Sequence, residues 1–277
     1  MVERANVLRP SGITVVIPTL DRLDLVQRAC NSVQCRQSQR VEIIVIDDGS
    51  AQDLRRMLPP QNAHGIELRC LRFQRNRGPQ AARNLGIRRA RFSHIAFLDS
   101  DDAFSPDKLD RVLNELDRAG SRIDLLFHGV KGMPKYGHLG RFWQRWLRAW
   151  LPFAWWVALL NPVVTPALVI RRARRLGVPR LRHCEDWAFL LRYVQPDTQV
   201  LYLDEELASV YRPPGTEGGL SAAVWKMRTG EFVARRVLLR KPGVSALLRY
   251  AIGAGAGAAR ICNDLLRGRY RSHRSAC

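Results

Sequence analysis

The chain has 277 residues, of which 46% are hydrophobic and 25% are charged, and its formal net charge is +20. This hydrophobic content can fill a globular core, so the composition excludes an intrinsically disordered chain. Half of the positive excess lies in residues 225–277, which hold 12 Lys or Arg and 2 acids. Such a basic segment suits nucleic acid, an anionic membrane or a phosphorylated substrate, or it is merely a soluble surface.

The cysteines and the N-terminus indicate a reducing, cytoplasmic setting, with peripheral attachment to the cytoplasmic face of a membrane as an extension of that expectation. The six cysteines form no C-x-x-C pair, and residues 1–11 lack the apolar core of a signal peptide and are expected to be flexible. Residues 149–170 carry no formal charge and are long enough to cross a bilayer. Their three prolines favour instead a surface helix followed by a buried strand.

Strands and helices alternate over the first half of the chain. A β-branched run at 13–18 precedes a helix with apolar residues at helical spacing, and this unit is repeated three times. Ser105 and Pro106 predict the N-cap and first turn of the last of these helices. Four such units predict an α/β fold with a mostly parallel sheet and helices on both faces. The other predicted strands of these units are 41–47, 66–73 and 94–99.

The second half is expected to complete the sheet. Residues 123–130 read as a further strand, and strand, helix and strand patterns follow within 165–212. The sequence thus predicts one domain over 12–224, with a nucleotide-binding half to about residue 130 and an acceptor half from 131. Residues 225–277 are predicted to form a basic helical appendage.

Acidic residues gather where the second and fourth predicted strands end. In parallel α/β sheets, ligands bind outside the carboxyl ends of the strands. Carboxylates spaced i, i+2 on a tight turn suit Mg²⁺ or Mn²⁺, which in turn neutralises a diphosphate. The alternative is that the second cluster caps the helix near Ser105. The clusters are Asp47 and Asp48, then Asp99, Asp101 and Asp102.

The sequence of the loop after the first strand excludes two common classes of nucleotide-binding site. It reads "PTLDR", without the glycines of a dinucleotide-binding turn, and no P-loop lysine motif occurs in the chain. One enzyme class with a similar α/β plan and metal dependence is the sugar-phosphate nucleotidyltransferases. Such an enzyme would need a Gly-rich basic loop after the first strand, and this loop has none. A non-catalytic nucleic-acid or membrane binder would leave the ordered acidic motifs unexplained, so no nucleic-acid partner is expected.

Five motifs carry a resemblance to a known family: "VVIPTLDR", "VIDDGS", "NRGPQAARNLGIRRA", "FLDSDD" and "CEDWAFLLR". In this order and spacing, over residues 12–213, the chain resembles glycosyltransferase family 2, inverting enzymes with a GT-A fold. The resemblance implies metal-dependent transfer of a sugar from a nucleoside-diphosphate sugar, with a UDP-sugar favoured. It implies that the sugar is transferred to a hydroxyl of a surface-polysaccharide or lipid-linked acceptor. The expected cofactor is Mg²⁺ or Mn²⁺.

The resemblance also assigns roles to residues. Asp101 is the expected metal ligand, with Asp99 and Asp102 as further candidates, and Asp186 is the expected general base. An inverting displacement needs a base on the face opposite the nucleotide. Acids at a helix N-terminus are the alternative interpretation of Glu185 and Asp186. The residues expected to bind the nucleotide sugar are Pro18, Thr19, Leu20, Asp21, Arg22, Asp48, Gly78, Arg83, Asp99, Ser100, Glu185 and Arg212.

One departure from the family pattern concerns Arg212. Many relatives carry a histidine at this late position, where it helps to hold metal or diphosphate. An arginine cannot ligate a metal, but it can grip a diphosphate directly. The change leaves open a relative that has lost activity.

Tryptophan and arginine alternate within 136–156. Tryptophan beside arginine suits the boundary between lipid headgroups and acyl chains, so this segment is a candidate contact for a membrane or lipid-linked acceptor. The alternative is that the tryptophans pack onto the domain. Arg235, Arg236, Arg240 and Arg249 are expected to add attraction to anionic lipid. The segment holds Arg141, Arg145 and Arg148, and Trp143, Trp146, Trp150, Trp155 and Trp156.

Overall fold

The fold is a central eight-stranded sheet flanked by helices, which confirms the predicted α/β class. The computed structural model describes residues 10–120, 122–172, 177–179, 181, 183–212, 224–240 and 243–266. Nearly all of the N-terminal stretch predicted to be flexible, the end of the predicted acceptor half and the last eleven residues lie outside this part. The strands are β1 (Ile13–Thr19), β2 (Val41–Asp47), β3 (Glu67–Arg72), β4 (His94–Phe97), β5 (Ala103–Phe104), β6 (Leu125–Lys131), β7 (Val169–Arg171) and β8 (Val200–Ser209).

The sheet is mixed. Its strand order is β3-β2-β1-β4-β7-β6-β8-β5. Strands β1 to β4 pair in parallel, as do β6 and β8, whereas β7 runs antiparallel to both of its neighbours and β5 runs antiparallel to β8. The parallel arrangement predicted from the βα units therefore holds for the first half of the chain.

The parallel strands bring the acidic clusters to one edge. All residues of β1 and β2 are buried, as expected for strands covered on both faces. Thr19 pairs with Asp47 at their carboxyl ends. Strand β4 ends at Phe97, which pairs with Val16, so its acidic turn follows beside the last residues of β1.

The helices flank this sheet, and one begins later than predicted. Helix α3 starts at Lys108 because Ser105 extends the pairing of β5 with β8: its N–H bonds to the Leu207 carbonyl and its hydroxyl to the Glu206 carbonyl. The predicted Ser105 N-cap is therefore wrong. The helices are α1 (Leu23–Ser32), α2 (Pro79–Arg89), α3 (Lys108–Arg118), α4 (Pro134–Phe142), α5 (Phe153–Leu159), α6 (Glu185–Tyr193), α7 (Val224–Leu239) and α8 (Val244–Leu266).

Short helical turns connect some of these elements. Three are 3-10 turns, and one is a π-helical turn that continues α4. The turn at Thr165–Ala167 takes up the first part of the strand predicted after residue 164, so β7 keeps only three residues. The others are Ser38–Arg40, Leu54–Arg56 and the π-helical Trp143–Leu147.

Helix α5 is buried, contrary to the predicted surface helix. Five of its seven residues are buried, including Phe153 and Trp156. It is covered by the C-terminal hairpin, α7 and α8, which also packs against α6. Among the described residues, no helix combines the length and apolarity needed to span a membrane.

A buried arginine anchors the hairpin. Arg235 is fully buried, and its guanidinium lies 4.3 Å from the ring centre of Trp187 on α6. It donates to the carbonyls of Ala158 at 3.1 Å and Leu159 at 3.2 Å, at the end of α5. Arg249 is buried as well. Their predicted contribution to membrane attraction is therefore wrong, because neither charge reaches the surface.

Replacing Arg235 with Met should destabilise the fold by about 3 kcal/mol, because the two carbonyls lose a donor and the stack on Trp187 is lost. Urea unfolding measures the change. Arg236→Met is the matched control, since Arg236 is exposed, and should stay within about 0.5 kcal/mol of the parent. Equal effects of the two changes would contradict the anchoring role.

A pair of glycine substitutions tests the packing of α2 on the sheet. A Cβ on Gly86 would lie 2.4 Å from a methyl carbon of the buried Val16, so Gly86→Ala should cost roughly 1–3 kcal/mol. The control is Gly255→Ala in α8, where a Cβ meets nothing within 4 Å. That change should stabilise by about 1 kcal/mol, because alanine has the higher helix propensity. Thermal unfolding compares the two, and a stabilising Gly86→Ala would refute the close contact.

Candidate active site

The loops after β1 and β2 are tied to each other. The backbone N–H of Asp21 donates to the Ser50 hydroxyl at 2.9 Å, and the Asp21 carboxylate accepts from the N–H of Ala51 at 2.7 Å. Asp21 has a φ of +52°, an uncommon conformation for a non-glycine residue. The bonds therefore hold the predicted "PTLDR" loop against the end of β2. Within it, Asp21 and Arg22 are exposed and Leu20 is half-buried.

Pro18 and Thr19 are the last residues of β1, and both are buried. The Thr19 hydroxyl has no hydrogen-bond partner among the described residues. Because buried polar groups are usually paired, this hydroxyl is available to a ligand group at the strand end.

Asp48 fixes the turn that leads into α2. Its two carboxylate oxygens accept from the N–H groups of Arg77 and Gly78, each at 2.8 Å. Gly78 has a φ of +86°, a backbone conformation that explains the glycine at this turn. These bonds position α2, and the expected contact of Asp48 with the nucleotide sugar stays a prediction.

Arg83 on α2 joins the two halves of the candidate site. Its guanidinium donates to Asp99 at 2.7 Å and to Glu185 at 3.3 Å. Burial lowers the pKa of Arg83, but the carboxylates of Asp99 and Glu185 outweigh burial, so the net pKa is raised. The arginine is therefore a permanent cation beside the acidic cluster.

Around Asp101 and Asp102, cationic and backbone groups surround the carboxylates. Arg22 forms an ion pair with the Asp101 carboxylate at 3.0 Å, and Arg28 donates to the Asp101 carbonyl at 2.6 Å. Burial, then the charges of Asp99 and Asp101, raises the pKa of Asp102 to about 7. A cation would relieve this accumulation of negative charge.

The acids do not cap α3, which was the alternative interpretation. The helix begins after Asp107, whose side chain makes no capping bond. The Asp102 carboxylate accepts instead from the N–H of Tyr211, at 3.3 Å. Ser100, between the acids, is buried.

Tyr211 brings Arg212 to the rim of the acidic cluster. The Tyr211 ring lies 4.5 Å from the guanidinium of Arg28. Arg212, the next residue, is exposed, and its contact with a diphosphate stays a prediction. Sequence reasoning missed Arg28, because it lies at an ordinary surface position of α1 and only the fold shows its partners.

The acidic turn after β4 offers part of a metal-binding set. In the described part of the chain, no three His, Cys, Asp or Glu side chains converge on one cation position. Mg²⁺ is often bound through one or two carboxylates and completes its shell with water and phosphate. Asp99, Asp101 and Asp102 supply hard oxygen ligands of this kind, so they fit a cation held partly by substrate.

Asp186 lies in the first turn of α6, across Arg83 from the acidic cluster. Asn161 donates to one of its oxygens at 3.0 Å. Burial raises the pKa of Asp186, and it raises the pKa of Glu185 with help from the neighbouring Asp186 charge. Asn161 follows α5 without any local pattern that marks it, so the sequence did not identify it as a partner.

The tryptophan segment divides between interior and surface. Trp143 and Trp156 are buried, and the Trp143 ring lies 4.9 Å from that of Phe153. Trp155 is half-buried, whereas Trp146 and Trp150 are exposed by 62% and 87%. Packing on the domain accounts for Trp143 and Trp156. Contact of the exposed Trp146 and Trp150 with a membrane or a lipid-linked acceptor stays a prediction.

Known proteins share both sequence and fold with this chain. Residues 14–151 match the model of glycosyl transferase family 2. The succinoglycan biosynthesis protein ExoO of Rhizobium meliloti is 38% identical over 114 residues, 40% of this chain, and the match spans only 31% of ExoO.

Solved structures agree on the fold. S. aureus TarS 1-349 in complex with UDP-GlcNAc superposes with a TM-score of 0.65 and 18% identity, over 85% of this chain and 68% of that one. The mannosyltransferase PcManGT of Pyrobaculum calidifontis, in complex with GDP-Man and Mn²⁺, superposes with a TM-score of 0.61 and 14% identity. This match covers 99% of this chain and 86% of PcManGT. These likenesses confirm the predicted GT-A fold. With its ordered motifs and the family match, the chain belongs to glycosyltransferase family 2.

Proposed function

We propose that this chain is a metal-dependent inverting glycosyltransferase that moves a sugar from a nucleoside-diphosphate sugar to an acceptor hydroxyl. The observation that carries the proposal is the double contact of Arg83. One guanidinium binds Asp99, beside the candidate metal ligand, and Glu185, beside the candidate base. The candidate donor and acceptor groups are thereby linked through one side chain.

On the donor side, the acidic turn after β4 and the cations around it would together bind the diphosphate of the donor. Asp101, with Asp99 or Asp102, would hold a divalent cation, which when bound supplies charge neutralisation for the diphosphate leaving group. Arg22, Arg28 and Arg212 are the nearby cations that can contact phosphate oxygens. The Thr19 hydroxyl and the loop after it would line the nucleoside.

On the acceptor side, Asp186 would remove the proton from the attacking hydroxyl. A carboxylate with a raised pKa is the better base, because proton affinity increases with pKa. Asn161 holds one oxygen of Asp186 and thereby orients the carboxylate. The carboxylate so oriented would accept the proton of the acceptor hydroxyl.

The donor and acceptor classes are supported by the relatives. TarS and PcManGT form complexes with UDP-GlcNAc and GDP-Man, which supports a nucleotide sugar, and we favour a UDP-sugar. The Mn²⁺ in the PcManGT complex supports a divalent cation. ExoO is named for succinoglycan biosynthesis, which supports a surface-polysaccharide or lipid-linked acceptor. Such an acceptor fits a protein at the cytoplasmic face of a membrane.

Two substitutions separate the proposed roles. Asp101→Asn should abolish the metal-dependent part of nucleotide binding, because the cation loses its main protein ligand. Asp186→Asn should leave binding intact and reduce transfer at least about a hundredfold, the lower range for loss of a general base. Titration calorimetry with UDP and Mn²⁺ measures binding, and donor turnover measures transfer.

Asp107→Asn is the control, since it removes an exposed acid five residues from Asp102 without touching the site. It should change neither readout. If Asp186→Asn loses binding while Asp101→Asn keeps it, the assignment of roles is wrong. If the parent binds no nucleotide or nucleotide sugar with either metal, the proposed function fails.

The raised pKa of Asp186 gives a pH dependence. The base form is lost as pH falls through this pKa, so the acid limb of kcat/KM should lie above pH about 3.9, the ordinary value for aspartate. Asn161→Ala removes a bond that favours the charged form, so the limb should move to still higher pH. A pH–rate profile of the parent and the variant measures both effects. A limb that moves to lower pH in the variant would contradict the role of Asn161.

A further inference from the structure

Helix α8 has its polar side inward and its apolar side outward. Arg249, Gly253, Gly257 and Asp264 face the domain and are buried. The opposite face carries six large apolar side chains with exposed fractions from 49% to 89%. A surface helix of a globular protein normally shows the reverse arrangement. The six residues, called here the α8 outer face, are Val244, Leu247, Leu248, Ile252, Leu265 and Leu266.

The exposed charges described in the hairpin's first helix and the turn after it are of one sign. Lys226 and Arg236 on α7, and Arg240 directly after it, are exposed, and none forms an ion pair within the described part of the chain. The two acids of residues 225–277, Glu231 and Asp264, are buried and paired with arginines. The described outer surface of the hairpin is therefore apolar and cationic without an acid.

We propose that the α7–α8 hairpin docks on an anionic lipid bilayer. Helix α8 lies parallel to the membrane with its outer face in the boundary between headgroups and acyl chains. The cations of α7 contact the headgroup phosphates. Trp225, 55% exposed at the start of α7, suits the same boundary. This partner goes beyond the proposed reaction and does not depend on it.

The cations of the hairpin, together with its apolar face, favour a bilayer over a second copy of the chain or a nucleic acid. A second copy of the chain would bring two cationic hairpins together, and like charges repel. A nucleic acid would satisfy the cations, but its phosphates would leave the apolar face in water. Of these three occupants, the anionic bilayer is the one that offers apolar material and negative charge at once.

Vesicle flotation of the full chain tests the proposal. The parent should float with phosphatidylcholine vesicles that contain about 30% phosphatidylglycerol and float much less with pure phosphatidylcholine. Leu248→Glu combined with Ile252→Glu should lower the partition coefficient at least tenfold, because two charges enter the apolar boundary. Met57→Glu, at an exposed apolar residue outside the hairpin, is the control and should float like the parent.

A second pair of variants tests the electrostatic part. Arg236→Gln and Arg240→Gln should each lower the partition coefficient about fivefold, which corresponds to about 1 kcal/mol per cation near the surface. Trp150→Glu changes the most exposed tryptophan of the aromatic segment and should have a smaller effect than the α8 double variant. Thermal unfolding of each variant confirms that it is folded.

Several outcomes would overturn the proposal. They are a parent that stays in the soluble fraction with both vesicles, an α8 double variant that floats like the parent, or flotation lost only in Trp150→Glu. Sedimentation analysis gives another: a parent dimer that the double variant makes monomeric, without flotation, assigns the face to a second copy. Salt-sensitive binding to RNA or DNA without flotation assigns the cations to nucleic acid. Donor turnover, measured in parallel, keeps failure of the docking distinct from failure of the reaction.

Discussion

The ion pairs of Arg83 are the contact on which the candidate site depends. A buried guanidinium must be paired with carboxylates, because an isolated buried charge is very costly. Asp99 pairs with one terminal nitrogen of Arg83 and Glu185 with the other, so the turn after β4 and the start of α6 are both tied to helix α2. The turn set by Asp48 and Gly78 in turn decides where that helix begins. The proposed donor and acceptor sides thus share one electrostatic centre.

Much of this centre could be predicted from the sequence because its residues follow strands. Acids that come directly after apolar runs must lie at one edge of a parallel sheet, whatever the details of the loops. The order of the motifs then placed Arg83 and Asp186 near the same edge. Asn161 and Arg28 escaped prediction because each acts through the tertiary structure. Ser105 failed as a cap because strand pairing competed for the same backbone groups.

The sequence could not predict which tryptophans and which arginines are buried and which are exposed. The tryptophans of 136–156 look alike in the sequence, but the π-helical turn changes which of them face the interior. The arginines of the C-terminal helices divide in the same way. Arg235 and Arg249 are buried, whereas Arg236 and Arg240 are exposed. Helical periodicity alone cannot reveal this division, because the partner surfaces come from distant parts of the chain.

The packing of the C-terminal hairpin on α6 has a consequence for the order of folding during synthesis. The sheet and the acidic turn are complete once β8 has left the ribosome, but Trp187 and the end of α5 still lack the side chain of Arg235. Helix α6, and with it Asp186, reaches its final support only when α7 and α8 emerge. A nascent chain can therefore assemble the acidic edge of its sheet before the proposed base, Asp186, is held in place.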